Sequence, residues 1–312
     1  MSGAPRTLVL GDMQAPLERI LAVLRQTGAL RSDRPGEDRL REGFHLVSIG
    51  DHVDYGHDPE AAGREGGVVL DWLADQPAPR VTLLLGNHDA ARVVEFAGWT
   101  DARFGSARAA AAAVSVLPEG PARAVAEAAF RTAFPDAPTL DLVARDYASY
   151  TEAQAARIAG LLRAGRMRLA TTVPDADGRP LLVTHAGVTT REVRLLVEQG
   201  RLDDAATDAE ALAAALEGFL DAALARWATG TPLDLAPLYL GASNHREAGG
   251  LLYHRPANPD PALRPAADLA WEFDPAAWRT AMDARPDGTD GTDGSLLPPE
   301  VPVFAAEEEI PF

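Results

Sequence analysis

LVSIGDHVDYGHD, residues 46–58, runs from an apolar strand straight into Asp51, His52, Asp54 and His57. Carboxylates and imidazoles beside a core strand are costly to bury unless hydrogen bonds or a metal ion meet them. The flanking sequence makes this stretch one member of a series. Residues 7–10, TLVL, read as a short strand ending at Gly11 and Asp12. LERILAVLRQTG follows, with Leu17, Ile20, Leu21 and Leu24 on one helical face and Gly28 as a stop. Residues 45–49 are a second strand, VVLDWLAD a helix, and RVTLLLGNHD a third strand closing at Gly86. Strand, helix, strand, helix, strand is the rhythm of an α/β sheet.

Further along, residues 90–168 are rich in alanine and read as mostly helical, with Thr151 and Gln154 as a capping box ahead of AARIAGLLRAG. RPLLVTHAG returns to a strand ending at His185. Thr207 with Glu210 makes a second capping box, opening a long helix whose Leu212, Leu216, Phe219, Leu220, Leu224 and Trp227 form one core-facing stripe. From Pro256 prolines multiply, PDGTDGTDGSLLPPE has linker composition, and AAEEEIPF closes the chain as an acidic tail. No internal repeat is visible. The expected division is a domain over 1–280, holding the helical insertion 90–168, and a flexible tail over 281–312.

The composition narrows the function. A chain of 312 residues holds one large α/β domain or two small ones, and 46% hydrophobic with 24% charged residues is that of an ordinary soluble globular protein. No run approaches the roughly 18 apolar residues of a membrane helix. The four-residue apolar run near the N-terminus is too short for a secretory segment. There are no cysteines, which excludes disulfides and thiolate metal ligands. A cytoplasmic protein without a membrane partner is expected. The net charge of −17 repels polyanions, so no nucleic-acid partner is expected. Small phosphate substrates remain compatible with it, because a bound dication reverses the local sign.

Four strands end in the same manner. LVLGDMQ presents Asp12 and Gln14; LVSIGDHVD presents Asp51 and Asp54; VTLLLGNHD presents Asn87, His88 and Asp89; LLVTHAG presents His185. Taken singly, each is an ordinary turn or helix cap. In open α/β sheets, however, the carboxyl ends of strands converge on one crevice where ligands bind. Oxygen and imidazole donors arriving there together suit dications such as Mn²⁺, Fe²⁺ or Zn²⁺.

The ordered set GDMQ, GDHVDYG, GNHD and THAG resembles the calcineurin-like metallophosphoesterases, and is most similar to their phosphoprotein-phosphatase branch with its GDxH, GDxxDRG, GNHE and HGG or HAG motifs. The similarity spans residues 7–186 by motif and extends toward Pro256 through GGLLYHRP. It implies a four-layer sandwich of two mixed β-sheets flanked by helices, with residues 90–168 as a helical cap. It also implies two divalent metal ions, Mn or else Fe or Zn. Asp12 and Gln14 would face the first, Asp51 would bridge both, and Asn87 with His185 would bind the second. His88 would be the proton donor to the leaving alkoxide and Asp54 the carboxylate that orients it, after attack by a metal-activated hydroxide. His52 and His57 would lie behind the site or at the surface.

Three positions depart from the family pattern. Gln14 stands for a histidine; an amide oxygen is a weaker donor, which either ligates a harder ion directly or holds a water. Tyr55 replaces the arginine that grips phosphate, and brings one hydrogen bond but no charge. Arg255 in LLYHRP and Arg246 in SNHRE are the candidates for that grip. Finally, no histidine follows Pro256 to complete the metal set, leaving His245, His254 or water for that position. The expected function is metal-dependent hydrolysis of phosphomonoesters, on phosphoproteins or small molecules. The alternatives are a dinucleoside polyphosphate hydrolase and a catalytically degenerate relative that only binds metal or phosphate.

Overall fold

The computed structural model describes residues 5–31, 38–54, 58–147, 149–203, 208–242 and 249–253. The tail expected over 281–312 and Thr207 of the second capping box lie outside them. Strand β1 (Arg6–Leu10) leads into helix α1 (Leu17–Gln26), whose Ile20, Leu21 and Leu24 are buried. The short pair β2 (Leu30–Arg31) and β3 (Arg39–Leu40) precedes β4 (Phe44–Ser48), helix α2 (Pro59–Ala74) and β5 (Val81–Leu84).

Next come α3 (Asn87–Ala91), α4 (Asp101–Ser115), α5 (Pro121–Ala133), a π-helical turn (Leu142–Asp146) and α6 (Glu152–Arg163). Strands β6 (Met167–Arg168), β7 (Ala170–Pro174) and β8 (Pro180–Thr184) follow, then α7 (Thr190–Glu198), α8 (Ala209–Ala228), β9 (Tyr239–Leu240) and β10 (Gly249–Gly250).

The expected α/β class is what the chain forms. Among the described residues the main sheet has four strands in the order β1-β4-β5-β6, parallel throughout, and the second sheet is the antiparallel hairpin β7–β8. Val47 and Leu84 of the first pack against Val173 of the second, with Ile49 and Val183 at the margin. Because β1, β4 and β5 are parallel, their carboxyl ends open on one side, and His185 arrives there from the end of β8.

Several elements differ from the sequence expectation. The helix read as VVLDWLAD begins earlier, at Pro59, capped by Asp58 Oδ1 accepting the Glu60 and Ala61 N–H groups at 3.0 and 3.2 Å. Its glycines disguise the first half as loop. Gly66 is there for packing: a Cβ would meet Val53 Cγ1 at 2.7 Å and the His52 carbonyl at 2.8 Å. Residues 167 and 168, read as the end of the helical region, form strand β6, and 170–174, which the sequence reading passed over, form β7, with DADG making the turn to β8. Helix α8 is capped by Asp208, whose Oδ1 accepts the Ala211 N–H at 2.7 Å. The Thr151–Gln154 box is present as expected.

Helix α8 lays Leu212, Leu216, Phe219 and Leu220 into the main core, with Leu224 and Trp227 partly buried against it. Each such side chain, taken out of water, favours folding by roughly 1.5–3 kcal/mol. Helices α4 and α5 with the π-helical turn build a second core around Phe96, Trp99, Phe104, Phe130, Tyr147 and Tyr150. Helix α6, by contrast, buries Ile158 and Leu162 in the main core. No helix among the described residues is long and apolar enough to cross a membrane.

Candidate metal centre

The loop after β4 makes two sharp left-handed turns, at Asp51 (φ 51°) and Asp54 (φ 66°). Such values are uncommon for any residue but glycine, with aspartate among the more tolerant. They bring both carboxylates back toward the sheet end. Gly50 and Gly86 let the loops close on each other. A Cβ at Gly86 would sit 2.1 Å from Asp51 Oδ1, and one at Gly50 would sit 2.5 Å from Gly86 N and 2.9 Å from His185 Nδ1. These two glycines are therefore required by contact, whatever their conformational preference.

Ligand atoms of Asp12, Asp51 and His185 lie within 4.8 Å of one another. Asp51 is buried, His185 half-buried and Asp12 exposed, so the group opens to solvent on the Asp12 side. His185 Nδ1 is 2.8 Å from the Ile49 carbonyl, which can only accept, so Nδ1 carries the proton. In the neutral ring Nε2 is then a lone pair. It faces Asn87 Oδ1 at 3.0 Å and Asp51 Oδ2 at 3.6 Å. A ring nitrogen and two oxygens, all electron donors, thus converge on one place, as a cation requires, and a backbone carbonyl fixes the ring in the manner usual for metal-bound imidazole.

Electrostatics point the same way. Burial pushes the Asp51 carboxyl above its ordinary value; Asp89 and Asp12 add to the rise, while His88 and His185 oppose it. A dication would relieve that excess of negative charge. Asn87 is buried, with the hydrogen-bonded Tyr147 and Tyr253 hydroxyls forming a pair of their own. Gln14 is half-buried, with Nε2 donating to the Val53 carbonyl at 3.2 Å. An amide held by its nitrogen offers its oxygen as the donor to a cation. The residues present therefore fit divalent ions.

Beside these groups, His88 Nδ1 lies 2.9 Å from Asp54 Oδ2, and His88 Nε2 lies 3.9 Å from Asp51 Oδ2. Burial disfavours the His88 imidazolium, yet the Asp54 hydrogen bond and the charges of Asp51 and Asp54 outweigh it and raise the ring above its ordinary value. Burial would likewise raise Asp54, but the Arg92 charge and the bonds from His88 and Arg92 hold it well below the usual carboxylate range. Tyr147 stands edge-on to the His88 ring at 5.2 Å.

The structure thus gathers Asp12, Asp51, Asn87 and His185 at one point, with His88 and Asp54 alongside. Tyr55, Arg246 and Arg255, expected at the substrate, lie outside the described residues, as do His57, His245 and His254. His52 is fully buried behind the site: Nδ1 bonds Asp89 Oδ2 at 2.9 Å and Nε2 bonds Ser48 Oγ at 2.8 Å. Asp89 also accepts the backbone N–H groups of Asp51, His52 and Gly86 at 3.0, 3.2 and 3.1 Å, clamping two site loops together. Arg92, Ser149 and Tyr147 had no part in the sequence reading. Arg92, four positions after His88, carried a weak helical-spacing signal; Ser149 and Tyr147 carried none.

Comparison with known proteins adds one finding. Residues 5–127 match the family model for calcineurin-like phosphoesterases, a stretch that carries the Asp12, Asp51 and Asn87 loops. No curated protein and no solved structure matched the chain. With its donors in place at the ends of β1, β4 and β5, the stretch 5–127 is similar to the calcineurin-like phosphoesterases.

Proposed function

We propose that this protein is a metal-dependent hydrolase of phosphomonoesters, using two divalent ions, with Mn²⁺ the best suited. The observation that supports this most is the convergence of Asp12, Asp51 and His185 within 4.8 Å at the open end of the sheet. Asp12 and Gln14 would hold one ion, Asn87 and His185 the other, and Asp51 both, since a carboxylate can bridge cations about 3.5–4 Å apart. Bound there, the ions would supply Lewis-acid polarisation of a phosphoryl oxygen and a water ionised near neutral pH.

The chain's own residues would do the rest. His88 Nε2 would give its proton to the leaving oxygen, while Nδ1 stays bonded to Asp54. Burial opposes the charged ring, but that bond and the charges of Asp51 and Asp54 raise His88 above its ordinary value, which suits a proton donor. The walls formed by Tyr147 and the loop of Asp54 shield the dyad on its buried side. A cytoplasmic setting belongs to the same proposal.

The test is phosphate release by the Mn²⁺-reconstituted protein from p-nitrophenyl phosphate, bis(p-nitrophenyl) phosphate and a dinucleoside polyphosphate, side by side. Preferred turnover of the monoester supports the proposal. Turnover confined to the diester or the polyphosphate would contradict the substrate class while leaving the metal centre intact.

A further inference from the structure

Asp54 is held from three directions. His88 Nδ1 and Arg92 Nη1 share its Oδ2 at 2.9 and 2.6 Å. The Ser149 backbone N–H and hydroxyl share its Oδ1 at 2.8 and 2.5 Å. A carboxylate offers about four lone-pair sites, and here each is taken, so the group has no freedom to turn. Arg92 is 1% exposed and spreads its remaining donors over the same neighbourhood. Nη1 also reaches the His88 carbonyl at 2.9 Å, Nε reaches Gln154 Oε1 at 3.3 Å, and Nη2 reaches Ser149 Oγ at 3.3 Å. Gln154 is itself fixed by the capping box of α6 and by the Gly63 carbonyl of α2 at 3.4 Å.

A guanidinium so enclosed does not grip substrate. Its cost of burial is offset only by partners of good geometry, and the shortest of those bonds go to the proton-donor pair itself, to Asp54 and the His88 carbonyl. Asp54 also sits at a positive φ, a conformation that persists where the surroundings over-determine it. Arg92 and Ser149 are what over-determine it.

We propose that Arg92 and Ser149 are positioning residues that lock the Asp54 carboxylate and, through it, aim the His88 ring at the leaving oxygen. The proposal rests on His88 being the proton donor. It gives residues 149–154 a task at the site, in a region whose sequence suggested only a helical cap.

The test is proton NMR of the full-length protein freed of paramagnetic ions, watching imidazole N–H resonances held by carboxylates. His52–Asp89 supplies a reference of the same kind in the same molecule, with Nδ1 to Oδ2 also at 2.9 Å. His88→Gln assigns the other resonance. In Ser149→Ala and Arg92→Lys the His88 resonance moves upfield or is lost to exchange with water, while the His52 resonance stays. An unchanged His88 resonance in both variants overturns the proposal. If Arg92→Lys loses both resonances through misfolding, Ser149→Ala decides alone, since it keeps the backbone N–H bond to Asp54.

Kinetics of the metal-loaded variants complete the test. With phenyl phosphate, whose leaving group needs a proton, kcat falls about tenfold or more, approaching the ~10²-fold worth of a general acid, with KM little changed. With p-nitrophenyl phosphate, a far better leaving group, the fall is only a few-fold. Equal losses on both substrates, alongside a displaced His88 resonance, overturn the donor role of His88 and leave its positioning standing. A wild type that hydrolyses neither overturns the phosphoesterase proposal, and the NMR comparison still decides whether Arg92 and Ser149 hold the dyad.

Discussion

Asp51 Oδ1 accepts the backbone N–H of His88 at 2.9 Å, so the carboxylate at the heart of the candidate centre is tied to the loop that carries the candidate proton donor. The oxygen used for this bond is distinct from Oδ2, which faces His185 at 3.6 Å. One side chain therefore has two tasks, and substitutions can separate them.

Asp51→Asn keeps an oxygen for the His88 N–H and removes the negative charge. Metal-loaded activity is expected to fall at least about 10²-fold, because a bound dication contributes several kcal/mol to such a reaction. The urea midpoint should move little, since burial already disfavours the charged form of this carboxyl. Steady-state kinetics and urea melts on the same preparations check both halves.

Asp89→Asn should do the reverse and unfold the protein easily. Asp89 is fully buried and its carboxylate receives three backbone N–H groups and the His52 ring. An amide would turn a donor toward donors. A loss of about 3 kcal/mol or more in urea-derived stability is expected, and a loss under 1 kcal/mol would show that the clamp is unimportant.

Two neighbouring glycines of α2 predict opposite signs. Gly67→Ala meets nothing within 4 Å and should stabilise the helix by about 0.5–1 kcal/mol. Gly66→Ala drives a methyl to 2.8 Å from the His52 carbonyl, where backbone must yield, and should destabilise by about 1–3 kcal/mol. Thermal melts of the pair settle the register of α2 against the site loop.

The pH dependence of stability should carry the mark of Glu95. Its carboxyl is buried, with Oε1 accepting from the Tyr239 hydroxyl and from the Ala242 N–H at 3.3 Å. Burial raises it to about 7, although the Tyr239 bond opposes the rise. With the folded value above the unfolded one, the folded state holds the extra proton between about pH 4.5 and 7. Stability from this group is full below that window and is lost as pH rises through it, by about 3 kcal/mol. Glu95→Gln, which mimics the protonated group, should match wild type near pH 4.5 and exceed it at pH 8. Parallel curves for the two proteins would contradict the shift.

The placement of the candidate residues was largely legible because it is written at strand ends. Apolar runs closing in Gly-Asp, Gly-Asn or Thr-His mark where β1, β4, β5 and β8 stop, and parallel pairing then carries Asp12, Asp51 and Asn87 to one side. What escaped depends on contacts far apart in sequence. Ser149 meets Asp54 across 95 positions and Arg92 meets Ser149 across 57, separations that no local pattern encodes. The start of α2 was hidden for a related reason: Gly63 and Gly66 lower helix propensity locally, and tertiary packing against Ser149, His52 and Val53 is what needs them. Strands β6 and β7 were missed although DADG between TTV and LLV is an ordinary hairpin signal.

The central claim is that donors from β1, β4, β5 and β8 hold divalent ions that make this chain a phosphoesterase. Its most direct test is hydrolysis of p-nitrophenyl phosphate by chelator-stripped wild type and Asp51→Asn, each with and without added Mn²⁺. The expected result is turnover by wild type only with metal and none by the variant in either condition. Equal turnover by the two proteins with Mn²⁺, or silence of folded wild type with Mn²⁺, Fe²⁺ and Zn²⁺ alike, would contradict it.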